Sequence, residues 1–357
     1  MGNTDKQDRY LNFDTLRCFA IFMVIMVHAL GYIEKYAINY NKTWLFVQAM
    51  YSIVFACNGI FFMLSGYFTL DKFDKIKDEK IFDFYKKKTI NIIIPFFLIS
   101  IVYYIANIKS VECSNVFFYI IDFFMKFITG NISPHFWFLY YMIGAYIISP
   151  FVGKMLITLS DKELKIYTIV SFVVQTFITL IYFTNYSFNF QAFLAIGLVN
   201  WLFYYQLGYT IKRLKPDKIK LFYLIGIFVI SVIVALLQKR FFKVSNPYID
   251  NQGLTMVLTT ISFFFLTRDY IKIPFKRLIY LLAKHSYTMY LIHILVLNVV
   301  FSFIYNKELN NTFQIYGYWF GSYIITCIIT IVFSIFIDKL IFNPLFNILR
   351  KHFLKAN

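Results

Sequence analysis

Ten long apolar stretches, at roughly residues 11–33, 45–69, 89–108, 136–157, 165–184, 190–211, 220–238, 252–267, 282–305 and 314–343, dominate what this chain can fold into. A helix needs roughly 17 to 25 apolar residues to cross a bilayer, and all but the eighth stretch meet that length. With 60% hydrophobic and 15% charged residues and a mean hydropathy of +0.64 over 357 residues, the chain is far more apolar than a soluble domain. The expectation is an all-α polytopic membrane bundle of about ten transmembrane helices. It forms one domain over 1–357, with a polar tail at 1–10 and a basic tail at 344–357. No internal repeat or linker divides it. A further apolar patch from Val116 to Ile128 carries Asp122 and Lys126 and is short, which favours an interfacial or re-entrant helix.

A formal charge of +17 raises nucleic acid as a partner, but the placement of the charge explains it better. If the N-terminus is cytoplasmic, most of the 35 Lys and Arg fall on that side, which puts both termini inside by the positive-inside rule. No nucleic acid is needed. The basic loop at 70–88 is then drawn to anionic lipid heads, by about 1 kcal/mol per basic residue. The start MGNTDKQDRY fits neither a cleavable signal peptide nor a myristoylation site. Cys18, Cys57, Cys113 and Cys327 show no paired spacing and read as small core residues, with no disulfide or metal framework. Asn41, Asn185 and Asn310 begin Asn-x-Ser/Thr triplets that chance explains in so Asn-rich a chain.

Polar side chains inside the spans carry the chemistry. Arg17 and His28 are eleven residues apart, which on a helix is three turns plus about 20° and a rise of about 16 Å. They share one face, half a bilayer apart. Ionisable groups in hydrocarbon usually face the bundle interior and mark function, against the plainer readings of a snorkelling arginine and a satisfied core histidine. Asn58 and Ser65, each followed by glycine, share a face of the second span, where close helix packing is the simpler account. Ser286, Tyr290 and His293 form a stripe in the ninth span that reads as interhelical hydrogen-bonding glue. His135, Trp137 and Tyr140 open the fourth span and read as an aromatic belt.

These segments resemble the acyltransferase 3 family of integral membrane O-acyltransferases. The resemblance rests on FDTLRCFAIFMVIMVH from Phe13 to His28, GIFFMLSGYFTL from Gly59 to Leu70, and KTINIIIPFF ending at Phe97. It continues through HFWFLYYMIGAYIISP at 135–150, WLFYYQLGYTI at 201–211 and SYTMYLIH at 286–293. The family shows an Arg, ten residues and a His, often with an Asp three residues before the Arg, where Asp14 stands here. It usually also has a basic pair spaced by two residues before the proline of span three. Here those positions are Lys88 and Asn91, so the second charge is missing and Lys86 or Lys87 has to compensate.

The resemblance implies transfer of an acyl group, most often acetyl, from cytoplasmic acyl-CoA to a hydroxyl of an extracytoplasmic glycan or glycolipid, in a bacterial cytoplasmic membrane. Arg17 with Lys86, Lys87 and Lys88 would hold the CoA phosphates, since guanidinium suits bidentate phosphate contacts and lysines act as point charges. His28 would act as general base or as acyl-accepting nucleophile. Asn58, Ser65, Tyr290 and His293 are the candidates to orient its ring or stabilise an oxyanion, with Asn58 and Ser65 placed in the site and His293 read as structural. Asp14 pairs with Arg17 at i+3, so span one offers His28 no carboxylate. Outward aromatics such as Tyr32, Tyr36, Trp44, Phe136, Trp137 and Tyr318 suit sugar stacking or interface anchoring equally. Two other classes compete: a glycolipid flippase or transporter, disfavoured by the lack of two-half symmetry, and a non-catalytic sensor on the same fold.

Overall fold

A computed structural model of the chain describes residues 3–37, 41–73, 79–108, 115–181, 200–242, 253–272, 274–305 and 312–353. Cys113, Asn185, Asn310, the end of the predicted fifth span and the start of the sixth lie outside these residues. The apolar runs fold as helices, because backbone polar groups away from water must be satisfied within the segment. Helix α1 (Asn3–Gly31) is unbroken and reaches back through most of the predicted polar tail. The predicted second span is two helices, α2 (Lys42–Val54) and α3 (Ala56–Thr69), meeting at Phe55. A helix α4 (Glu79–Lys88) runs through a π-helical turn, Thr89–Ile93, into α5 (Ile94–Ala106). Next come α6 (Val116–Thr129), α7 (Trp137–Thr158), α8 (Asp161–Ile181), α9 (Trp201–Leu214), α10 (Leu221–Phe242) and α11 (Leu254–Asp269). The last three are α12 (Lys276–Tyr305), α13 (Thr312–Ile337) and α14 (Asn343–Phe353), with a second π-helical turn, Asp338–Phe342, between α13 and α14.

Among the described residues there is no strand, and seven helical segments are long and apolar enough to cross a membrane. The chain is an all-α polytopic bundle. The Val116–Ile128 patch forms α6, which is too short to count among the seven segments. It buries Phe123 and turns Phe117, Ile120, Ile121, Phe124 and Ile128 outward, as a helix lying against lipid does. Cys18, Cys57 and Cys327 are buried free thiols.

Two helices organise the rest. Helix α1 packs against α12, α3, α11, α13 and α2, and α3 packs most extensively against α9. Glycine makes the second contact possible. A Cβ at Gly66 would fall 1.7 Å from the Tyr205 carbonyl oxygen, and one at Gly208 would fall 1.9 Å from that of Met63. The two backbones therefore touch, as small residues allow between membrane helices. Gly59 plays a related part, since a Cβ there would meet the Tyr204 ring at 2.7 Å.

Candidate active site

Helix α1 is furnished differently at two levels. At its midpoint, Arg17 donates Nη1–H to Asp14 Oδ1 at 2.6 Å, and its guanidinium lies 5.0 Å from the Phe68 ring centre on α3. One turn back along α3, Ser65 meets the Tyr146 hydroxyl of α7 at 3.2 Å. The ammonium of Lys88 sits 3.4 Å from the centre of that same tyrosine ring. Lys212 of α9 reaches Asp71 at 2.5 Å, and Lys72 lies in the electrostatic field of both Lys88 and Lys212. Arg17, Lys72, Lys88 and Lys212 thus converge from four parts of the chain, with Asp14 and Asp71 the carboxylates paired among them. An excess of cations on one rim, with an arginine fork still only partly engaged, fits a polyanionic ligand such as phosphate.

Asn91 has a charge brought to it. Arg350 of α14 donates to Asn91 Oδ1 at 2.7 Å, and Tyr287 of α12 donates to the Ile92 carbonyl at 2.7 Å, so the π-helical turn before Pro95 is held from two sides. A guanidinium is therefore brought to Asn91 from the far end of the sequence.

About 16 Å further along α1, His28 meets two other imidazoles. Its ring centre is 5.2 Å from that of His293 on α12 and 6.1 Å from that of His135, and the latter two are 5.2 Å apart. Three of the chain's five histidines meet here. His135 and His293 are buried, whereas His28 is half-buried, the most accessible ring of the three. Ser133 Oγ meets His135 Nδ1 at 2.9 Å, and Tyr290 donates its hydroxyl to the His135 carbonyl. His293 Nδ1 lies 2.6 Å from the Tyr290 carbonyl oxygen. Tyr103 of α5 closes the group, its ring 5.1 Å from His135. The Nε2 atoms of His135 and His293 and the Tyr103 hydroxyl are buried without a hydrogen-bond partner. Such atoms each cost about 1–3 kcal/mol, and they cluster where a ligand's polar atoms would relieve them. Among the described residues no group of His, Cys, Asp and Glu is spaced to hold a metal ion.

The sequence-predicted residues divide between the two ends. Arg17 lies on Phe68 and Lys88 on Tyr146, which reaches Ser65 one turn away on the same α3, while Lys86 and Lys87 are exposed beside Lys88 on α4. His28 and His293 come together. Ser65, expected beside the imidazole, is instead at the basic end on Tyr146, because seven residues of α3 carry it about 10 Å from Asn58. Asn58 is buried at the other end of α3, beside Cys57, which lies in the electrostatic field of Tyr290. His135 is not part of an aromatic belt. The short turn Pro134–Phe136 folds it inward, with the Phe136 ring 4.2 Å from its own. Tyr103, Tyr146, Lys72, Lys212 and Arg350 were not singled out by sequence; nothing local marks an ordinary tyrosine or lysine whose partner lies on another helix.

No curated protein and no solved structure matches the chain. A family profile does: that of the acyltransferase 3 family, described as an acyltransferase domain, matches residues 10–339. An arginine and a histidine set eleven residues apart on one membrane helix, with cations gathered at one and imidazoles at the other, therefore lie in a chain that belongs to the acyltransferase 3 family.

Proposed function

We propose that this protein transfers an acyl group, acetyl in the first instance, from acyl-CoA to a hydroxyl of a glycan or glycolipid on the opposite side of the membrane. The observation that carries this reading is the unbroken α1, with Arg17 in a basic rim at one reach and His28 in a histidine cluster at the other. The excess of basic residues on the loops at the Arg17 end supports a cytoplasmic placement for it. Arg17, Lys88, Lys72 and Lys212 then hold the donor's phosphates, with Lys86 and Lys87 adding charge from the exposed side. The pantetheine arm extends along the bundle, and its thioester comes to His28.

His28 serves the transfer in one of two ways. As base it takes the proton of the acceptor hydroxyl while that oxygen attacks the thioester carbonyl; the C–S bond breaks and the thiolate recovers the proton. As nucleophile its ring nitrogen attacks the carbonyl first and CoA leaves as thiolate; the acceptor oxygen then attacks the acyl-imidazole, the C–N bond breaks, and the acceptor's proton ends on the thiolate. On the acceptor side, Tyr32 lies one turn beyond His28, stacked on Phe301 at 4.2 Å and donating its hydroxyl to Asn298 at 2.8 Å. That ring and amide suit the face and hydroxyls of a sugar.

The test is purified protein in proteoliposomes loaded with acceptor glycan and supplied with labelled acetyl-CoA outside. Label on the lumenal glycan, lost in His28→Ala with unchanged thermal unfolding, is the expected result. Wild-type transfer by His28→Ala would sink the reading. Movement of unmodified glycolipid without label would identify a transporter instead. Label retained on the protein without acceptor separates the nucleophile from the base.

A further inference from the structure

His28 lacks a carboxylate to orient it. Among the described residues neither it nor His135 nor His293 is ion-paired with one, and the groups electrostatically coupled to His135 and His293 are histidines. An imidazole that must present a lone pair to a substrate needs its other nitrogen held by an acceptor, which a carboxylate usually supplies.

His293 has the features of that acceptor. A carbonyl oxygen only accepts, so the 2.6 Å contact with Tyr290 places a proton on His293 Nδ1. In the neutral ring Nε2 is then a lone pair and nothing else. That atom is buried with no hydrogen-bond partner, although the ring is pinned on its other side and lies with its centre 5.2 Å from that of His28. Helices α1 and α12 run in the same direction here, meeting at Cys18 Sγ on the Ile279 carbonyl and again where the His28 and His293 rings face each other. A buried acceptor without a donor stands beside a ring that has one N–H to give.

We propose that His293 is the positioning residue for His28, accepting its N–H at Nε2 and so fixing the tautomer that turns the other nitrogen of His28 toward the substrate. This rests on the acyl-transfer reading above. When the acceptor O–H breaks and its proton passes to His28, the hydrogen bond to His293 spreads the new positive charge over two rings. The proton then leaves for the departing thiolate sulfur as the C–S bond breaks. Neither histidine is changed over the cycle. His135 packs edge-on against His293 at 84°, bracing it from behind.

The titratable groups facing this pair are His135 from the turn before α7, Tyr103 from α5, Tyr290 on α12 itself and Cys57 from α3. Helix α13 turns Tyr323 to the Phe22 carbonyl, α2 joins Tyr51 to Glu34, and α11 holds Arg268 on Asp269 at the basic end. None of these offers His28 a carboxylate acceptor.

The experiment compares wild type, His28→Ala, His293→Ala, His293→Gln and the double His28→Ala/His293→Ala variant in proteoliposomes, reading kcat, KM for acetyl-CoA and the pH profile of kcat. His293→Ala is expected to lose at least tenfold in kcat with KM unchanged and to shift the pH profile. Glutamine, whose amide oxygen can accept the same N–H, is expected to restore a large part of it. The double variant is expected to be no worse than His28→Ala alone, since residues acting as a unit are not additive. A His293→Ala enzyme with wild-type kcat and pH profile overturns the inference while leaving the role of His28 standing. So does a folded His293→Gln variant no better than alanine, and where alanine does not fold the glutamine variant decides alone against wild type. Full activity in His28→Ala would instead remove the reading beneath it.

Discussion

Lys88 stacks its ammonium 3.4 Å from the ring centre of Tyr146, and the hydroxyl of that ring meets Ser65. The tyrosine therefore holds a cation in place without neutralising it. Tyr146→Leu is expected to raise KM for acetyl-CoA about two- to fivefold, since an exposed cation–π contact is worth about 0.5–1 kcal/mol. Tyr146→Phe, which keeps the ring and loses only the bond to Ser65, is expected to stay near wild type. Steady-state kinetics at saturating acceptor checks both.

Arg17 gives one N–H to Asp14, and under the proposed function the rest of its fork holds the donor's phosphates. Arg17→Ala is expected to raise KM for acetyl-CoA by roughly 10- to 100-fold, the worth of about 1.5–3 kcal/mol in charged hydrogen bonds. Arg17→Lys keeps the charge and loses the fork, so it should fall between. Titration of CoA binding by calorimetry separates the three proteins, and equal affinities would remove Arg17 from the donor site.

Arg350 reaches Asn91 from the C-terminal helix and is exposed. Its contribution to donor binding should therefore be screened by salt. Arg350→Ala is expected to raise KM for acetyl-CoA a few-fold at low ionic strength, with the difference shrinking as salt shortens the Debye length to about 3 Å near 1 M. A salt-independent defect would point to a structural role for α14.

Gly66 and Gly208 each face a carbonyl at less than 2 Å from where a Cβ would sit. Alanine at either site must push α3 and α9 apart, at about 1–3 kcal/mol by analogy with overpacked cores. Gly144→Ala is the control, since nothing lies within 4 Å of its Cβ position. Thermal unfolding in detergent should rank the first two well below the third.

Helix α6 is tied to α5 by Asp122, which accepts from Tyr104 at 2.8 Å and pairs with Lys126 at 2.8 Å. The hydrogen bond from Lys126 holds the Asp122 carboxyl below its usual range. A depressed carboxylate pKa stabilises above the unfolded value and loses that stabilisation as pH falls through the folded one. Hydrogen exchange across α6 should therefore accelerate on acidification below the ordinary carboxylate range. Asp122→Asn should show the faster exchange already at neutral pH and respond little to acid.

The membrane class and the placement of Arg17 and His28 on one unbroken helix were readable in the sequence because both depend on short-range order. Apolar length identifies a helix, and a spacing of eleven identifies a face. What surrounds those residues was not readable in the same way. His135 and His293 lie on separate elements, and the aromatic and apolar residues around them gave each a sufficient local explanation. Ser65 lies apart from the imidazoles for a related reason: sharing a face with Asn58 says nothing about the distance between them, and α3 carries the two about 10 Å apart. The missing charge at Asn91 was visible as a gap, but the contact from Arg350 depends on how α14 returns across the bundle.

Backbones in contact, as those of α3 and α9 are at Gly66 and Gly208, cannot slide past one another without first separating. Helix α3 also carries Phe68 at the basic end and Asn58 toward the histidine end, so it acts as a ruler of fixed length between them. In such a frame the separation of Arg17 from His28 is a constant, and under the proposed function it would select among donors by the length of their arm: the cargo, not the protein, would do the travelling.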